Sequence, residues 1–444
     1  MDFYIYISRK YTKIVINFRH FGVFFFLYGI IVLYMVWKDG KMLKVNRKFN
    51  SSSLNLFLKP KEVFIPLIID NSDSVTLLVK ENDYVYKGQI IGRKKDESKL
   101  GIFSSVSGRV IDFVFKKYFD GRMIKCVHIE NDFKECYESK RKERKDLVLN
   151  SNEFIDLLKT SGIVSLNNGE AIYKMYEKRC KTLVVNAFEG DPYFSSVAAL
   201  LRVHTDEILE ATDAIIKING MDDAIIVLNN SDNISVKCVN NYVGTYDRIS
   251  LVCLESHVVS GNNECLLNKL NLDIEKVIVN DIFTIYAIYE ALRYDVPLLQ
   301  RIITVGGDGV KKAQNVLVKN GTNALELIEF VGGYKRFNYN KMCLVAGSSF
   351  TGKSMENDDF VIGLNLSGIL AIKMIDDLEE SPCIKCGKCI EVCPKKLNPL
   401  LIMNSNNEKT LKKLRVDDCT GCGMCSYVCP SNILVREKVK EVNK

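Results

Sequence analysis

Histidine is scarce in this sequence. The four residues, His20, His128, His204 and His257 among 444, show no paired spacing. That argues against a histidine-built metal site or acid–base pair. No order of serine, histidine and aspartate in the sequence is persuasive as a hydrolytic triad. A one-sided charge is missing too: 61 basic residues against 54 acidic leave only +7 on a highly charged background, so no nucleic-acid partner is indicated. A disulfide framework is also excluded as a reading of the 15 cysteines, because such frameworks belong mainly to short secreted chains.

What the sequence does hold is a concentration of those cysteines near one end. Cys383, Cys386, Cys389 and Cys393 read C-x2-C-x2-C-x3-C followed by Pro394, and Cys419, Cys422, Cys425 and Cys429 repeat the spacing before Pro430. The other seven are scattered and read as core thiols. Two such runs are a two-cluster ferredoxin signature, in which three thiolates of one loop and the fourth of the other run hold each cubane. The expected ligand sets are therefore Cys383, Cys386, Cys389 and Cys429 for one [4Fe-4S] cluster and Cys419, Cys422, Cys425 and Cys393 for the other. A pair of zinc sites would use two pairs per ion and would not need tripled cysteines. Cluster assembly points to a reducing compartment. Lys385, Lys388, Lys395 and Lys396 flank the first run, either as a solvated face or as a landing area for an acidic electron-transfer partner.

The other end carries "FGVFFFLYGIIVLYMVW", Phe21 to Trp37, an apolar run at the lower limit for crossing a bilayer. Basic residues flank both sides, so the run carries no orientation signal, and no small-residue cleavage site follows it. Two explanations stand side by side: residues 1–41 are a membrane anchor, or translation starts at Met42. From there, short alternating strands with Gly88, Gly92 and Gly108 predict a biotinyl/lipoyl-like β-barrel over 42–139. No lysine sits in a carrier-type turn, so this is a structural module. The charged stretch Lys140 to Asn152, including "KRKERK", reads as a linker. Strands and helices then alternate over 151–299, which predicts a Rossmann-like parallel α/β domain with ligands at the carboxyl ends of its strands. Residues 300–346 suggest a β-grasp (SLBB-like) module, 347–375 a linker and 376–436 the ferredoxin-like domain. The whole is a multidomain α/β and α+β chain. One motif competes with this reading: Gly347 to Ser354, "GSSFTGKS", fits the P-loop expression G-x-x-x-x-G-K-S. Only twenty-eight residues lie between Ser354 and Cys383. They leave no room for a nucleotide-binding sheet, so the match is read as a decoy.

Several stretches in fixed order, "VKENDYVYKGQIIG", "VVNAFEGDPY", "VNDIFTIYAIYEAL", "TVGGDGVKKAQNVLVKNGT", "LIEFVGG", "PCIKCGKCIEVCP" and "DCTGCGMCSYVCPS", resemble the RnfC family of Rnf electron-transport subunits. More distantly they resemble the NADH-binding flavoprotein subunit of respiratory complex I. The likeness covers about four hundred residues. It implies an electron-transfer subunit relaying electrons between NADH or ferredoxin/flavodoxin-type carriers and the membrane subunits of an ion-translocating complex. It also implies a place on the cytoplasmic face of the inner membrane, peripheral or with one N-terminal anchor. An FMN site is implied at Asn186, Glu189, Asp191 and Asn280. The family's glycine-rich flavin loop is here "GIVSLNNGEAIYKMY", which keeps Gly162 and Gly169 but carries Ser165, Asn167 and Asn168 between them, and Asp281 replaces a family asparagine. These departures keep two alternatives open: a relay or scaffold with a degenerate NADH/FMN site, and a soluble RnfC-like reductase serving a dedicated metabolic enzyme.

Overall fold

Strand-forming residues dominate the chain up to the first long helix, and the computed structural model arranges them in small sheets. It describes residues 7–9, 12–14, 49, 51–138, 143–255, 261–335, 342–373 and 379–443. The apolar run Phe21 to Trp37, the start at Met42 and Lys140 to Lys142 of the basic run lie outside the described residues. Among those described, no helix is long and apolar enough to cross a membrane. The chain divides into two units, Met1–Lys44 and Val45–Lys444. In the first, Ile7–Arg9 and Thr12–Ile14 pair antiparallel, with Ile7 opposite Ile14.

The second unit opens with a barrel-sandwich. Strands Glu62–Pro66, Met123–Asn131, Gly108–Lys117 and Tyr84–Val85 form one antiparallel sheet in that order, and Val75–Leu77, Ile90–Lys94 and Gly101–Phe103 form another. Alternate β-branched residues point inward, so Val63, Ile65, Val85, Ile91, Val110, Val127 and Ile129 are wholly buried. Gly108 is required for the close strand approach, since a Cβ there would stand 1.9 Å from the Glu130 carbonyl oxygen.

The runs "TLVVNA", "DAIIVLN", "ISLVCL" and "VIVND" become the parallel strands Thr182–Ala187, Asp223–Asn229, Ile249–Leu254 and Val277–Asp281. Their order across the sheet is Ile249–Leu254, Asp223–Asn229, Thr182–Ala187, Val277–Asp281. The chain thus builds outward on one side of Thr182–Ala187 and then returns to its other side. That reversal makes a switch point, the usual place for a ligand in such a sheet. Helices Ser151–Thr160, Ser196–Asn219, Asn233–Tyr242, Asn263–Leu270 and Ile282–Tyr294 accompany the strands. Barrel and α/β residues share one continuous core.

A six-stranded sheet follows, in the order Lys353–Met355, Met342–Ala346, Gly368–Lys373, Gln300–Gly306, Gln314–Lys319, Leu54–Phe57. Residues 347–373, expected to belong to a linker, instead supply two of its strands. Phe360, Ile362, Leu366, Ile369 and Ala371 from that stretch are buried in the sheet's core. Leu54–Phe57, which precedes the barrel in sequence, closes the opposite edge by pairing parallel to Gln314–Lys319.

Candidate functional site

The two cysteine runs fold as near copies of each other. Lys385 and Gly421 take the same left-handed conformation between the first two cysteines of each run, at φ 56° and 65°. Gly387 and Gly423 take it after the second, at φ 79° and 78°. Each of these glycines begins a one-turn helix, Lys388–Glu391 and Met424–Tyr427. Lys396 and Asn432 repeat the left-handed turn after the fourth cysteine, at φ 52° and 55°. These turns curl each loop so that three thiols face inward, while the residue before each proline carries the fourth thiol to the other loop.

Two small cavities result. Cys383, Cys386, Cys389 and Cys429 line one, together with Ile384, Lys385, Lys388 and Ile433. Cys393, Cys419, Cys422 and Cys425 line the other, with Leu397, Ile402, Met424 and Val439. The electrostatics divide the thiols in the same way. Burial, reinforced by Cys422, Cys419 and Cys393, pushes the Cys425 thiol up to about 12. Burial, reinforced by Cys386, Cys383 and Cys429, raises Cys389. Four thiols this close resist ionising together unless cations sit among them. Among the described residues no three His, Cys, Asp or Glu side chains close on a point the size of a single metal ion; a cubane is larger and holds its thiolates further apart. The donor set, four cysteines around an apolar hollow, fits such a cluster. Backbone N–H groups already point at sulfur, from Lys385 to Cys383 and from Leu397 to Cys393, both at 3.4 Å.

The two quartets differ in surroundings. Cys383 and Cys386 are exposed, and Ile384 between them is 67% exposed. The Cys393 quartet instead borders the α/β domain. There Lys395 forms an ion pair with Glu264 at the start of helix Asn263–Leu270, and Cys265 next to it is pushed up to about 11 by burial and then by Cys422.

The candidate flavin residues gather where the sheet reverses, Asn186 opposite Asp281 and Val185 opposite Asn280. Each is held by protein. Asn186 Nδ2 donates to the Gly261 carbonyl at 2.9 Å and to Asn263 Oδ1 at 2.8 Å. Glu189 accepts from Ser196 Oγ at 3.1 Å and from the Val197 N–H. Asn280 Nδ2 donates to the buried Tyr176 hydroxyl. Asp281 caps helix Ile282–Tyr294 through the Thr284 N–H and hydroxyl. Asp191 lies further off and accepts from the turn at Ser348 and Ser349. In the loop that replaces the glycine-rich segment, Leu166 is buried, its N–H donates to Thr284 Oγ1, and its carbonyl accepts from Arg301. Gly162 and Gly169 serve packing against the barrel: a Cβ on the first would meet the Gly101 carbonyl, and one on the second would meet Asn71. So arranged, these residues do not present the open, glycine-lined cradle that a flavin phosphate needs, and the added carboxylate of Asp281 would repel it.

Arg301 escaped the sequence reading. Its guanidinium is buried and donates to the Leu166 and Leu364 carbonyls, both at 2.8 Å. Burial pulls it down to about 10, against the attraction of Asp281 and Glu189. An arginine opening the apolar run "RIITV" was the available signal. The P-loop lookalike is settled by geometry: Gly347–Gly352 is a turn between strands Met342–Ala346 and Lys353–Met355, whereas a phosphate loop must open into a helix.

Comparisons with known proteins agree with this architecture. Residues 38–134 match the RnfC barrel sandwich hybrid domain, 165–288 the Nuo51 FMN-binding domain and 377–435 a 4Fe-4S dicluster domain. The C subunit of a proton-translocating ferredoxin:NAD(+) oxidoreductase complex from Clostridium ljungdahlii is 26% identical over 364 residues, covering 77% of this chain and 78% of its own. The resemblance is to the RnfC family. The C subunit of the Na(+)-translocating ferredoxin:NAD(+) oxidoreductase complex of Acetobacterium woodii is 25% identical over 78% of this chain and 81% of its own. The C subunit of the ion-translocating oxidoreductase complex of Rhodobacter capsulatus is 27% identical over 72% of this chain, which spans 65% of that relative's length. Among solved structures, a chain of NAD+-reducing [NiFe]-hydrogenase aligns over 66% of this chain and 61% of its own, at 11% identity and a TM-score of 0.46.

Proposed function

We propose that this chain is the electron-transfer subunit of an Rnf-type membrane complex and that its two cysteine quartets are the ligand sets of two [4Fe-4S] clusters. One observation carries the reading: each cavity is lined by three cysteines of one run and the fourth of the other. Bound there, the clusters supply one-electron transfer at potentials tuned by burial and by hydrogen bonds to sulfur. The chain's own part is to hold and space the thiolates, to exclude water with Leu397, Ile402, Met424 and Val439, and to direct the Lys385 and Leu397 N–H groups at sulfur. The Cys393 quartet is the inner one, joined to the α/β domain through Lys395 and Glu264. The Cys383 quartet is the outer one.

The finer features of this reading follow the family. The α/β domain is Rossmann-like, and the sheet around Gln300–Gly306 is a β-grasp module enlarged by strands from either side of it in sequence. The electron carriers are NADH and ferredoxin- or flavodoxin-type proteins, the further partners are the other Rnf-type subunits, and the site of action is the cytoplasmic face of the membrane.

Anaerobic reconstitution with iron and sulfide tests the assignment. About eight irons per chain is the expected content for two [4Fe-4S] clusters; a chain that takes up none refutes the reading. An absorbance spectrum of the anaerobically purified protein, before and after NADH, shows on the same sample whether flavin is present and whether NADH reduces the iron–sulfur bands.

A further inference from the structure

We infer that Glu264 is a positioning residue for the inner quartet: by pairing with Lys395 it ties the cysteine loop to the α/β domain and fixes the net charge beside the cluster held there. The inference rests on the two-cluster reading and adds which contact of the α/β domain tunes which cluster.

Glu264 stands in the first turn of helix Asn263–Leu270. Asn262 caps that turn, its side-chain oxygen accepting from the Glu264 N–H at 3.1 Å and the Cys265 N–H at 3.3 Å. Asn186, at the point where the parallel sheet reverses, donates to the Gly261 carbonyl and to Asn263 Oδ1, so both of its amide hydrogens are spent on this segment. A carboxylate carried on a turn held from both sides keeps its place. Its partner Lys395 lies two residues after Cys393 and lines the inner cavity but not the outer one. The Lys395 and Glu264 side chains are 24% and 34% exposed, which leaves their charges less screened than those of a surface pair. Cys265, the next residue, is close enough to feel Cys422 and Cys393. The turn therefore sits against the quartet itself.

The other charges around that loop are paired inside the cluster domain or lie in water. Arg436 is paired with Glu437 and Arg415 with Asp418, while Lys396, Asp417 and Lys440 are exposed. Lys269, on the same helix as Glu264, lies near Cys265 and Glu255. Among the described residues, Lys395 and Glu264 make the ion pair that joins the cluster domain to another domain. A charge beside a cluster moves its potential: a bare ammonium favours the added electron and a bare carboxylate opposes it.

The experiment is a redox titration, followed by electron paramagnetic resonance, of the full-length reconstituted protein and of Glu264→Gln, Lys395→Gln and the double variant, each with its iron counted. Glu264→Gln leaves the lysine bare and should shift one of the two midpoints upward. Lys395→Gln should shift the same midpoint downward, and the double variant should return it close to the wild-type value. The wave that shifts should be the one that survives Cys386→Ala, which removes an outer ligand. A merely structural contact would move both single variants the same way. That result overturns the inference, as does no shift in either variant with iron in place, or a shift of the wave that Cys386→Ala abolishes. If Glu264→Gln fails to hold its iron, the sign of the Lys395→Gln shift decides alone. A wild-type chain that holds no iron removes the two-cluster reading itself.

Discussion

Asp191 takes two hydrogen bonds from Ser349, one from its backbone N–H at 2.7 Å and one from its hydroxyl at 2.9 Å, and the Ser348 hydroxyl adds a third at 2.8 Å. The family likeness assigned this acid to a flavin site, and the turn it holds is the P-loop lookalike. The same turn reaches the cluster domain. Arg436 Nη1 donates to the Phe350 carbonyl at 2.9 Å, the Phe350 ring meets Tyr427 edge-on at 5.5 Å, and the Phe350 oxygen lies against Gly423 in the inner quartet's loop. Asp191 therefore acts as a positioning residue that fixes the α/β domain to the loop around the inner quartet.

Asp191→Ala leaves the Ser348 and Ser349 donors unpaired and should cost about 2 kcal/mol of local stability. The expected result is a lower thermal midpoint and faster proteolysis between residues 347 and 352, with iron content close to wild type. A variant as resistant as wild type would contradict the positioning role.

Lys353, the lysine of the decoy motif, is exposed on a three-residue strand. Lys353→Ala should leave iron content and electron transfer unaltered, and the protein should show no saturable ATP binding by calorimetry. Cys386→Ala, by contrast, removes a ligand of the outer quartet alone and should drop reconstituted iron from about eight to about four per chain.

Acid should loosen the contact between the barrel and the short helix Tyr173–Tyr176 that carries Lys174. Asp70 accepts from Lys94 at 2.7 Å, Lys174 at 2.8 Å and the Ala171 N–H at 2.7 Å. Burial alone would raise its carboxyl, but Lys174, Lys94 and Ala171 outweigh burial and hold it below its ordinary value of 3.8. A depressed carboxyl contributes stability that is full above the unfolded value and disappears as pH falls through the folded one. Asp70→Asn should be less stable than wild type at neutral pH, and the two should converge below about pH 4. Asparagine tolerates the left-handed backbone at φ 51°, so the comparison isolates the charge. Parallel stability curves across this range would exclude the mechanism.

The quartets were legible in the sequence because their geometry is local: the spacing within each run fixes three thiols, and the proline marks where the fourth departs. The parallel sheet was legible for a related reason, since its strands are short apolar runs rich in β-branched residues and alternate with helical segments. Strands Lys353–Met355 and Gly368–Lys373 were not, because the first is short and polar and both lie among glycines that read as turns. The commitments of Asp191 and Arg301 were hidden by distance. Ser348 stands 157 residues from Asp191 and Leu166 stands 135 from Arg301, and nothing near either residue announces its partner. The flavin loop was misleading in a different way: Gly162 and Gly169 survive where the family has them, yet both are used against the barrel.

Strand Leu54–Phe57 has a consequence for the order of events during synthesis. It leaves the ribosome before any of the barrel, while its partner Gln314–Lys319 comes far later; Asn315 Nδ2 donates to the Ser51 carbonyl across 264 residues. The barrel and the parallel sheet can close in the interval, but this strand waits with an unmade ladder on its pairing side. A nascent chain is thus carrying an open edge through most of its translation, the condition under which strands find the wrong partner. Four residues is a short edge to leave open, and its charge-free sequence, "LNLF", makes a holding chaperone or a slow ribosome most consequential in that window.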